Sequence, residues 1–334
     1  MLTFSTAVLG AYFVTVSLLS IFGLHRLALV LLYYWHRGKA AAITLPVPDE
    51  DCPTVLVQLP VFNERFVVER LIDAIAALDW PRDRLVIQVL DDSTDDTVEI
   101  AQAAVAAWRA RGLRISHETR IDRKGFKAGA LAEGLRRNNA PFVAIFDADF
   151  IPPADFLRRV MGTLVQDDGV GMVQARWTHI NREQSLLCRA QAILLDGHFI
   201  MEHGARFRSG RFFNFNGTAG IWRRSAIKDA GGWTADTLTE DLDLSYRAQL
   251  KGWHLEYVPH VTVPAEIPET YSAFKSQQFR WAKGSIQTAI KLLPRIFASD
   301  RPYFTKFQSV FHLCAYAMHA LMLAVALLAL PAMA

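Results

Sequence analysis

Two acidic clusters in this sequence each follow a short, apolar, β-rich string. The string LVIQVL runs into Asp91 and Asp92, and the string FVAIF runs into Asp147 and Asp149. Two carboxylates held at the end of a strand suit Mg²⁺ or Mn²⁺, which would take its other ligands from phosphate groups and water. Asp147 and Asp149 are therefore candidate metal ligands. Asp91 and Asp92 are candidates to accept hydrogen bonds from the base or ribose of a nucleoside. A solvated acidic turn and a helix N-cap are the alternatives.

A lysine and a third acidic cluster supply further groups that a transfer reaction needs. Lys127 falls in the first turn of a predicted helix, where a cation can steady a phosphate; taken alone, a surface lysine is the more common explanation. Asp241 is a candidate general base, because displacement at an anomeric carbon needs a carboxylate that takes the proton of the attacking hydroxyl. Glu240 is the alternative base, and N-capping by Thr239 or Asp241 explains the cluster equally well.

An aromatic and cationic segment, together with a glycine-containing turn, completes the set of candidate residues. Arg280 could neutralise a departing diphosphate, and Trp281, four residues after Gln277, offers a flat face to a sugar ring. By itself, an interfacial membrane helix anchored by Arg and Trp explains this segment better. Asn216 and Gly217 are candidate acceptor-site residues, and an ordinary glycine-rich turn is an equally good interpretation of that pair.

The spacing of apolar strings predicts the elements that position these groups. Strands over 54–60, 85–90, 113–117 and 142–146 alternate with helices over 64–78, 94–110 and 125–137. Such alternation predicts an α/β fold with a parallel sheet covered by helices. Ligands of these sheets bind beyond the carboxyl ends of the strands, where both strand-end acidic clusters fall. Farther along, we predict a strand over 171–177, helices over 183–203 and 241–251, and a strand or loop over 212–222.

Long apolar runs at both ends predict membrane helices. We assign 1–36 to an N-terminal transmembrane region, 50–267 to a cytosolic catalytic domain, 268–304 to interfacial amphipathic helices and 305–334 to a second transmembrane helix. Arg26, Arg37 and Lys39 follow the first span, and positive charge marks the cytoplasmic side. We therefore expect an integral membrane protein with a lipid bilayer as partner, in the plasma or inner membrane if it is bacterial. The net charge of +3 does not indicate a nucleic-acid partner.

The order of the four clusters, and the strings around them, resemble one enzyme family. The strings are QLPVFNE (58–64), DRLVIQVLDDSTD (83–95), KAGAL (127–131), VAIFDADF (143–150), VQARW (173–177) and FNGTAGIWR (215–223). Together they resemble the family 2 inverting glycosyltransferases of cellulose-synthase type. Within that family they are most similar to the cellulose-synthase-like A group, the β-mannan and glucomannan synthases. The resemblance runs from about residue 58 to residue 281.

The resemblance implies a GT-A fold, a divalent metal and a set of site residues. It implies transfer of a hexose from GDP-mannose, UDP-glucose or GDP-glucose to a growing β-1,4-glycan, and it favours Asp241 over Glu240 as the base. The implied nucleotide-binding residues are Pro60, Asn63, Glu64, Asp91, Asp92, Lys127 and Asp147, with Asp147 and Asp149 on the metal. The implied diphosphate and acceptor residues are Gln277, Arg280, Trp281, Asn216 and Gly217.

Two other functions stay open from the sequence. A single hexose could be placed on a lipid such as ceramide or diacylglycerol, or the domain could sense nucleotides without catalysis; intact Asp147, Asp149, Asp241 and Arg280 count against the second. Polymerising members of the family carry several more membrane helices after the Gln-x-x-Arg-Trp segment, whereas this sequence has room for one. We therefore expect either that the chain is part of a longer protein or that glycan export is not its task.

Overall fold

The structure is a computed structural model that describes residues 2–38 and 46–333. Lys39, one of the residues that predicts the orientation in the membrane, lies outside the described residues. The helices are α1 Leu2–His36, α2 Val68–Ala76, α3 Thr97–Ala110, α4 Phe126–Arg136, α5 Phe156–Gln166, α6 Leu186–Asp196, α7 Gly204–Arg208, α8 Arg224–Asp229, α9 Glu240–Leu250, α10 Tyr271–Ala298, α11 Tyr303–Leu313 and α12 Ala317–Met333. The strands are β1 Val55–Val61, β2 Leu85–Asp91, β3 Ile115–Thr119, β4 Phe142–Ile145, β5 Val170–His179, β6 Gly220–Arg223 and β7 His254–Ala265. A π-helical segment, Gly197–His203, joins α6 to α7.

The seven strands form one mixed sheet in the order β3-β2-β1-β4-β6-β5-β7. Strands β1 to β4 pair in parallel, as the sequence predicts. Strand β6 runs antiparallel to both of its neighbours, and β7 pairs in parallel with β5. Strand β7 is not predicted from the sequence, because the polar residues and prolines in His254–Ala265 hide the alternation of a strand.

The sheet separates two hydrophobic cores. Successive residues of β1 face opposite sides, as a strand requires, so Val57 belongs to one core and Leu56 to the other. Helices α2, α3 and α5 cover the first face, and α4, α8 and α9 cover the second. Because β1 is buried on both faces, its sequence is almost continuously apolar. The sheet is therefore the middle layer of three, with helices packed on both of its faces.

The antiparallel strand β6 brings a distant loop to the edge where β4 ends. Gly220, the first residue of β6, pairs with Ile145, the last residue of β4. The residues before Gly220 therefore lie at the carboxyl end of β4, and the Asp147 N–H donates to Thr218 Oγ1 at 2.9 Å. One reversed strand thus places the segment around Asn216 and Gly217 beside Asp147.

The helices outside the sheet differ in part from the expected pattern. In the described part of the chain, one helix alone, Ser5–His36 within α1, is long and apolar enough to cross a membrane, with a mean hydropathy of 2.1. The region 305–334, over which we predict a second span, contains most of α11 and all of α12; the two helices are bent by 64° and are apolar and long enough to cross a membrane if they are taken together. The region 268–304 contains one 28-residue helix, α10, followed by the start of α11.

Candidate functional site

The centre of the candidate site is the Lys127 ammonium group. Gly125, with a φ of 77°, turns the chain into α4, so that Lys127 stands in the first helical turn. Its Nζ donates to Asp147 Oδ1 at 2.5 Å and to the Gly217 carbonyl at 3.0 Å. Burial favours the neutral amine, but the negative charges of Asp147, Glu240 and Asp241 together outweigh it and raise the pKa of Lys127. Lys127 therefore carries a positive charge among the candidate carboxylates.

Asp241 lies across Gly217 from this lysine. Gly217 has a φ of 82°, and a Cβ placed on it would stand 3.2 Å from Asp241 Oδ2 and 3.4 Å from Lys127 Nζ. Only glycine adopts this backbone conformation without strain while leaving space for both side chains. The structure therefore brings together four residues predicted from the sequence: Lys127, Asp147, Gly217 and Asp241.

The pKa of Asp241 suits a group that accepts a proton. Burial and the negative charge of Glu240 raise the pKa of Asp241 to about 7, while the Leu242 N–H and Lys127 oppose the rise. A general base is most effective when its pKa lies near the working pH. Burial also raises the pKa of Glu240, against the positive charges of Lys127 and Arg280. The assignment of Asp241 rather than Glu240 as the base stays a prediction.

Asp149 and Asp147 provide an acidic pair suited to a divalent cation. Burial, and then the negative charge of Asp147, raise the pKa of Asp149 to about 7. A cation between the two carboxylates would relieve that repulsion. Within residues 2–38 and 46–333, no group of three or more histidine, cysteine, aspartate or glutamate side chains could hold a metal ion. Two carboxylates completed by phosphates and water are a usual Mg²⁺ arrangement, so the residues fit such an ion.

Asp91 and Asp92 lie at the end of β2 and already have protein partners. Asp91 is 2% exposed and accepts from the Ser93 N–H at 2.9 Å, with His117 Nε2 at 2.8 Å. Burial works against it, but these two hydrogen bonds lower the pKa of Asp91 overall. Both oxygens of Asp92 accept from the Arg120 guanidinium group. Their binding of a nucleoside stays a prediction.

His117 and Arg120 were not predicted as site residues. A signal was present, because both belong to the string HETR at the carboxyl end of the predicted third strand. Parallel strands end at one edge of a sheet, so side chains there meet those that follow β2. His117 and Arg120 therefore fix the orientation of Asp91 and Asp92.

The three candidates around the end of β1 differ in what they contact. Pro60 is a half-buried residue of β1 itself. Asn63 has a φ of 57°, and its Oδ1 accepts from the Thr94 N–H at 2.9 Å, so it braces the loop after β1 against the loop after β2. Desolvation by neighbouring groups, and then the negative charge of Asp147, raise the pKa of Glu64, although its side chain is exposed. Glu64 thus belongs to the same electrostatic cluster as Asp147.

The Gln-x-x-Arg-Trp segment lies near the N-terminal end of α10. Gln277 and Trp281 are half-buried and Arg280 is exposed. Arg280 lies close enough to Glu240 for its positive charge to oppose the rise in the pKa of that carboxyl. Asn216, on the loop before β6, places its side-chain nitrogen 3.1 Å from His198 Nε2. The roles of these residues in binding a diphosphate or an acceptor stay predictions.

A buried charge cluster beside the site was missed in the sequence. Asp243, one turn into α9, is fully buried and lies 2.6 Å from Arg247 Nη2 and 2.9 Å from Lys291 Nζ. Thr234 Oγ1 also donates to it at 2.8 Å. The spacing of Asp243 and Arg247 on a predicted helix could have suggested their pairing, but nothing local points to Lys291 in α10. The cluster joins α9 to α10.

A comparison with protein families decides the family of this chain. Residues 53–284 match the family described as Glycosyltransferase like family 2. The chain belongs to glycosyltransferase family 2. This glycosyltransferase is 45% identical over 267 residues to glucomannan 4-beta-mannosyltransferase 1 of Oryza sativa subsp. japonica, covering 77% of this chain and 51% of the relative. It is 46% identical over 283 residues to glucomannan 4-beta-mannosyltransferase 2 of Arabidopsis thaliana, covering 82% and 53%. The chain thus spans about half the length of these curated relatives.

Two solved structures share the fold. The mannosyltransferase PcManGT from Pyrobaculum calidifontis, solved in complex with GDP-Man and Mn²⁺, has a TM-score of 0.68 at 22% identity, over 97% of this chain and 85% of that one. TarS 1-349 of S. aureus, solved in complex with UDP-GlcNAc, has a TM-score of 0.59 at 14% identity, over 80% and 73%. At these sequence identities, the structural similarity is evidence for a shared fold and for nothing further. The predicted family, its cellulose-synthase-like A resemblance and the GT-A fold are confirmed.

Proposed function

We propose that this chain is an inverting, membrane-bound mannosyltransferase that moves mannose from GDP-mannose to the end of a growing β-1,4-linked glucomannan or mannan. The observation that carries the proposal is the convergence of Asp241, Asp147 and Lys127 on Gly217. In the proposal, the base, the residues that bind the metal ion and the lysine that binds the phosphate would lie around one glycine. The 45% and 46% identity to glucomannan 4-beta-mannosyltransferases supports the choice of donor and product.

The donor would lie along the carboxyl edge of the sheet. Asp91, oriented by His117, accepts hydrogen bonds from the nucleoside at the end of β2. The Lys127 ammonium group then donates hydrogen bonds both to Asp147 and to the diphosphate. A bound Mg²⁺ or Mn²⁺, held by Asp147 and Asp149, would neutralise charge on the diphosphate. In this scheme, the negative charges of the site carboxylates offset the positive charges of Lys127 and of the metal ion, which bind the diphosphate of the donor.

The acceptor hydroxyl would attack the anomeric carbon from the side opposite the diphosphate. Asp241 takes the hydroxyl proton as the new carbon–oxygen bond forms and the bond to the diphosphate breaks, so the configuration inverts. Arg280 stabilises the charge that develops on the departing GDP. Trp281 provides a face on which the terminal sugar of the acceptor stacks. Asn216 and Gly217 form the turn beneath the reacting groups.

The membrane assignments are part of the proposal. The apolar helix α1 supports membrane association of region 1–36. We place 50–267 on the cytosolic side because Arg26 and Arg37 follow the most apolar part of α1. Region 268–304 would lie at the membrane surface, and the bent pair α11 and α12 would enter the membrane in region 305–334.

The test is an assay of the purified chain in lipid nanodiscs with Mn²⁺. GDP-mannose, UDP-glucose and GDP-glucose are offered in parallel, and release of nucleoside diphosphate is followed together with product size. The proposal expects GDP release from GDP-mannose and a product that β-mannanase digests. A single organic-soluble glycolipid would instead support the lipid-acceptor function. Donor binding without turnover by any of the three would support the nucleotide-sensing function.

A further inference from the structure

The second half of α1 packs against the catalytic domain. Leu29 is only 1% exposed, and the Tyr33 ring approaches to 3.3 Å from the position that a Cβ on Gly204 would take. His25 lies 2.6 Å from Gln308 of α11 through its Nε2. The segment that receives this half of α1 is the π-helical segment 197–203 with α7. Helix α1 is therefore joined to the domain by side-chain packing along its second half.

Polar contacts continue from α1 into the π-helical segment. Arg26 forms an ion pair with Glu202, which also accepts from Arg206 Nη1 at 3.1 Å. One turn earlier, His198 places its Nδ1 3.8 Å from Glu202 Oε2. π-Helical turns within α-helices are frequent at functional sites, and here the irregular segment turns two histidines toward the loop before β6.

Those histidines hold the loop that carries Gly217. His203 Nε2 donates to the Asn214 carbonyl at 3.0 Å, and His198 Nε2 lies 3.1 Å from Asn216 Nδ2. Because the amide nitrogen of Asn216 is a donor, His198 Nε2 accepts and the ring proton is on Nδ1. That nitrogen faces Glu202 at 3.8 Å, beyond direct hydrogen bonding, so the two groups interact through the dipole of the neutral ring and the charge of the carboxylate. Burial, with the positive charges of His203 and Arg206, lowers the pKa of His198 well below its ordinary value, so the ring is neutral.

From these contacts we infer that Arg26, Glu202 and His198 form a polar relay that positions the Asn216–Gly217 turn. This loop segment contacts Lys127 through the Gly217 carbonyl and faces the Asp241 carboxylate. A membrane-helix residue, Arg26, thereby acts on the transfer centre as a positioning residue, at one remove from the reacting atoms. The expected effect on catalysis rests on the proposed function, whereas the expected effect on the conformation of the loop does not.

The first measurement is hydrogen exchange of peptide 213–218 in the full chain in nanodiscs. Arg26→Met and His198→Leu break the relay at its two ends, whereas His198→Gln keeps an acceptor for the Asn216 amide. The matched control is Arg189→Met, which removes an exposed pair with Glu183 at 2.8 Å. We expect faster exchange in Arg26→Met and His198→Leu, and exchange as in the unchanged protein in His198→Gln and Arg189→Met. Unchanged exchange in Arg26→Met overturns the relay even if no transfer activity is found.

The second measurement is mannose transfer to β-1,4-linked mannose oligomers. We expect Arg26→Met and His198→Leu each to lower kcat about tenfold, because a displaced turn misaligns the base, with the Kd for GDP-mannose in Mn²⁺ within about twofold. The double variant should be no slower than the slower single variant, since both changes break one relay. A hundredfold loss in the double variant would show independent effects and overturn the inference. If the unchanged protein transfers no mannose, the proposed function fails and the exchange experiment alone decides the relay.

Discussion

Gly284 of α10 lies directly against Thr239, the residue before α9. A Cβ on Gly284 would stand 2.6 Å from Thr239 Cγ2 and 2.8 Å from its backbone nitrogen. Beside this contact, Gln287 Oε1 accepts from the Leu238 N–H at 3.0 Å, and Thr288 Oγ1 lies 3.2 Å from Thr239 Oγ1. The helix that carries the Gln-x-x-Arg-Trp segment is thus set against the candidate base by a contact that admits no side chain.

Replacing this glycine should separate the two helices. We expect Gly284→Ala to lower the free energy of unfolding by about 1–3 kcal/mol, because the added methyl group meets both the side chain and the backbone nitrogen of Thr239, and the backbone cannot move aside easily. The rate of mannose transfer should fall as well, since α10 moves relative to Asp241. Thermal unfolding and kcat check this. Gly10→Ala is the control, because a Cβ there has nothing within 4 Å; equal behaviour of the two variants would show that the contact is unimportant.

Asp241→Asn tests the base. The amide keeps the shape of the side chain but cannot take a proton, so kcat should fall by about 10²–10⁴-fold while GDP-mannose still binds. Product formation measured over hours, with donor binding by calorimetry, separates the two effects. The control is Asp168→Asn, at a side chain that is 98% exposed. Full activity of Asp241→Asn would remove Asp241 from the mechanism and leave Glu240 as the candidate.

Activity and stability should depend on pH in opposite directions. The pKa of Asp241 is raised to about 7, so kcat/KM should rise about tenfold per pH unit below that value and level off above it. Saturating Mn²⁺ favours the ionised form of Asp149, which leaves Asp241 as the group that titrates. A rate that stays flat between about pH 5.5 and 8 would contradict the assignment.

The same raised pKa values work against the folded state at neutral pH. Between the ordinary value of 3.8 and about 7, folded Asp149 and Asp241 keep protons that the unfolded chain has lost. The free energy of unfolding should therefore fall as pH rises through this window, in the absence of metal. Denaturant titrations at several pH values measure it. Asp241→Asn should flatten the slope, because its side chain no longer titrates.

Asp243→Asn should destabilise the junction of α9 and α10. It leaves Lys291 and Arg247 without a buried counter-charge, a change that costs about 3–5 kcal/mol in comparable buried ion pairs. Asp236→Asn is a matched control, because Asp236 binds the same Lys291 at 2.8 Å but is 57% exposed. Its loss should cost less than about 1 kcal/mol. Equal urea midpoints for the two variants would contradict the structural role of Asp243.

Local pattern predicted the part of the site that follows parallel strands. Asp91 and Asp147 come directly after apolar strings, and the general rule for parallel sheets brings them to one edge. The pairing of Asp92 with Arg120 and of Asp243 with Lys291 depends on side chains 28 and 48 positions away, on elements whose packing the sequence does not display.

Two backbone features also escaped the sequence analysis for physical reasons. The reversal of β6 follows from its pairing with Ile145 and not from its own four residues. The helix predicted over 183–203 is an α-helix only as far as Asp196 and continues as a π-helical segment to His203. The sequence does not reveal this change, because the side-chain pattern of a π-helical segment resembles that of an ordinary helix. The contacts of His198 and His203 with the loop before β6 follow from that irregular segment.

The length of helix α1 bears on the distance between the membrane and the candidate site. Its 35 residues extend about 52 Å at 1.5 Å per residue, whereas the apolar interior of a bilayer is about 30 Å thick. In the proposed membrane arrangement, a helix of this length standing upright would project about 20 Å past the lipid tails, and Leu29 and Tyr33, which pack against the domain, would lie in that projection. The length of α1 would then set the distance between the membrane surface and the end of the sugar chain that is extended.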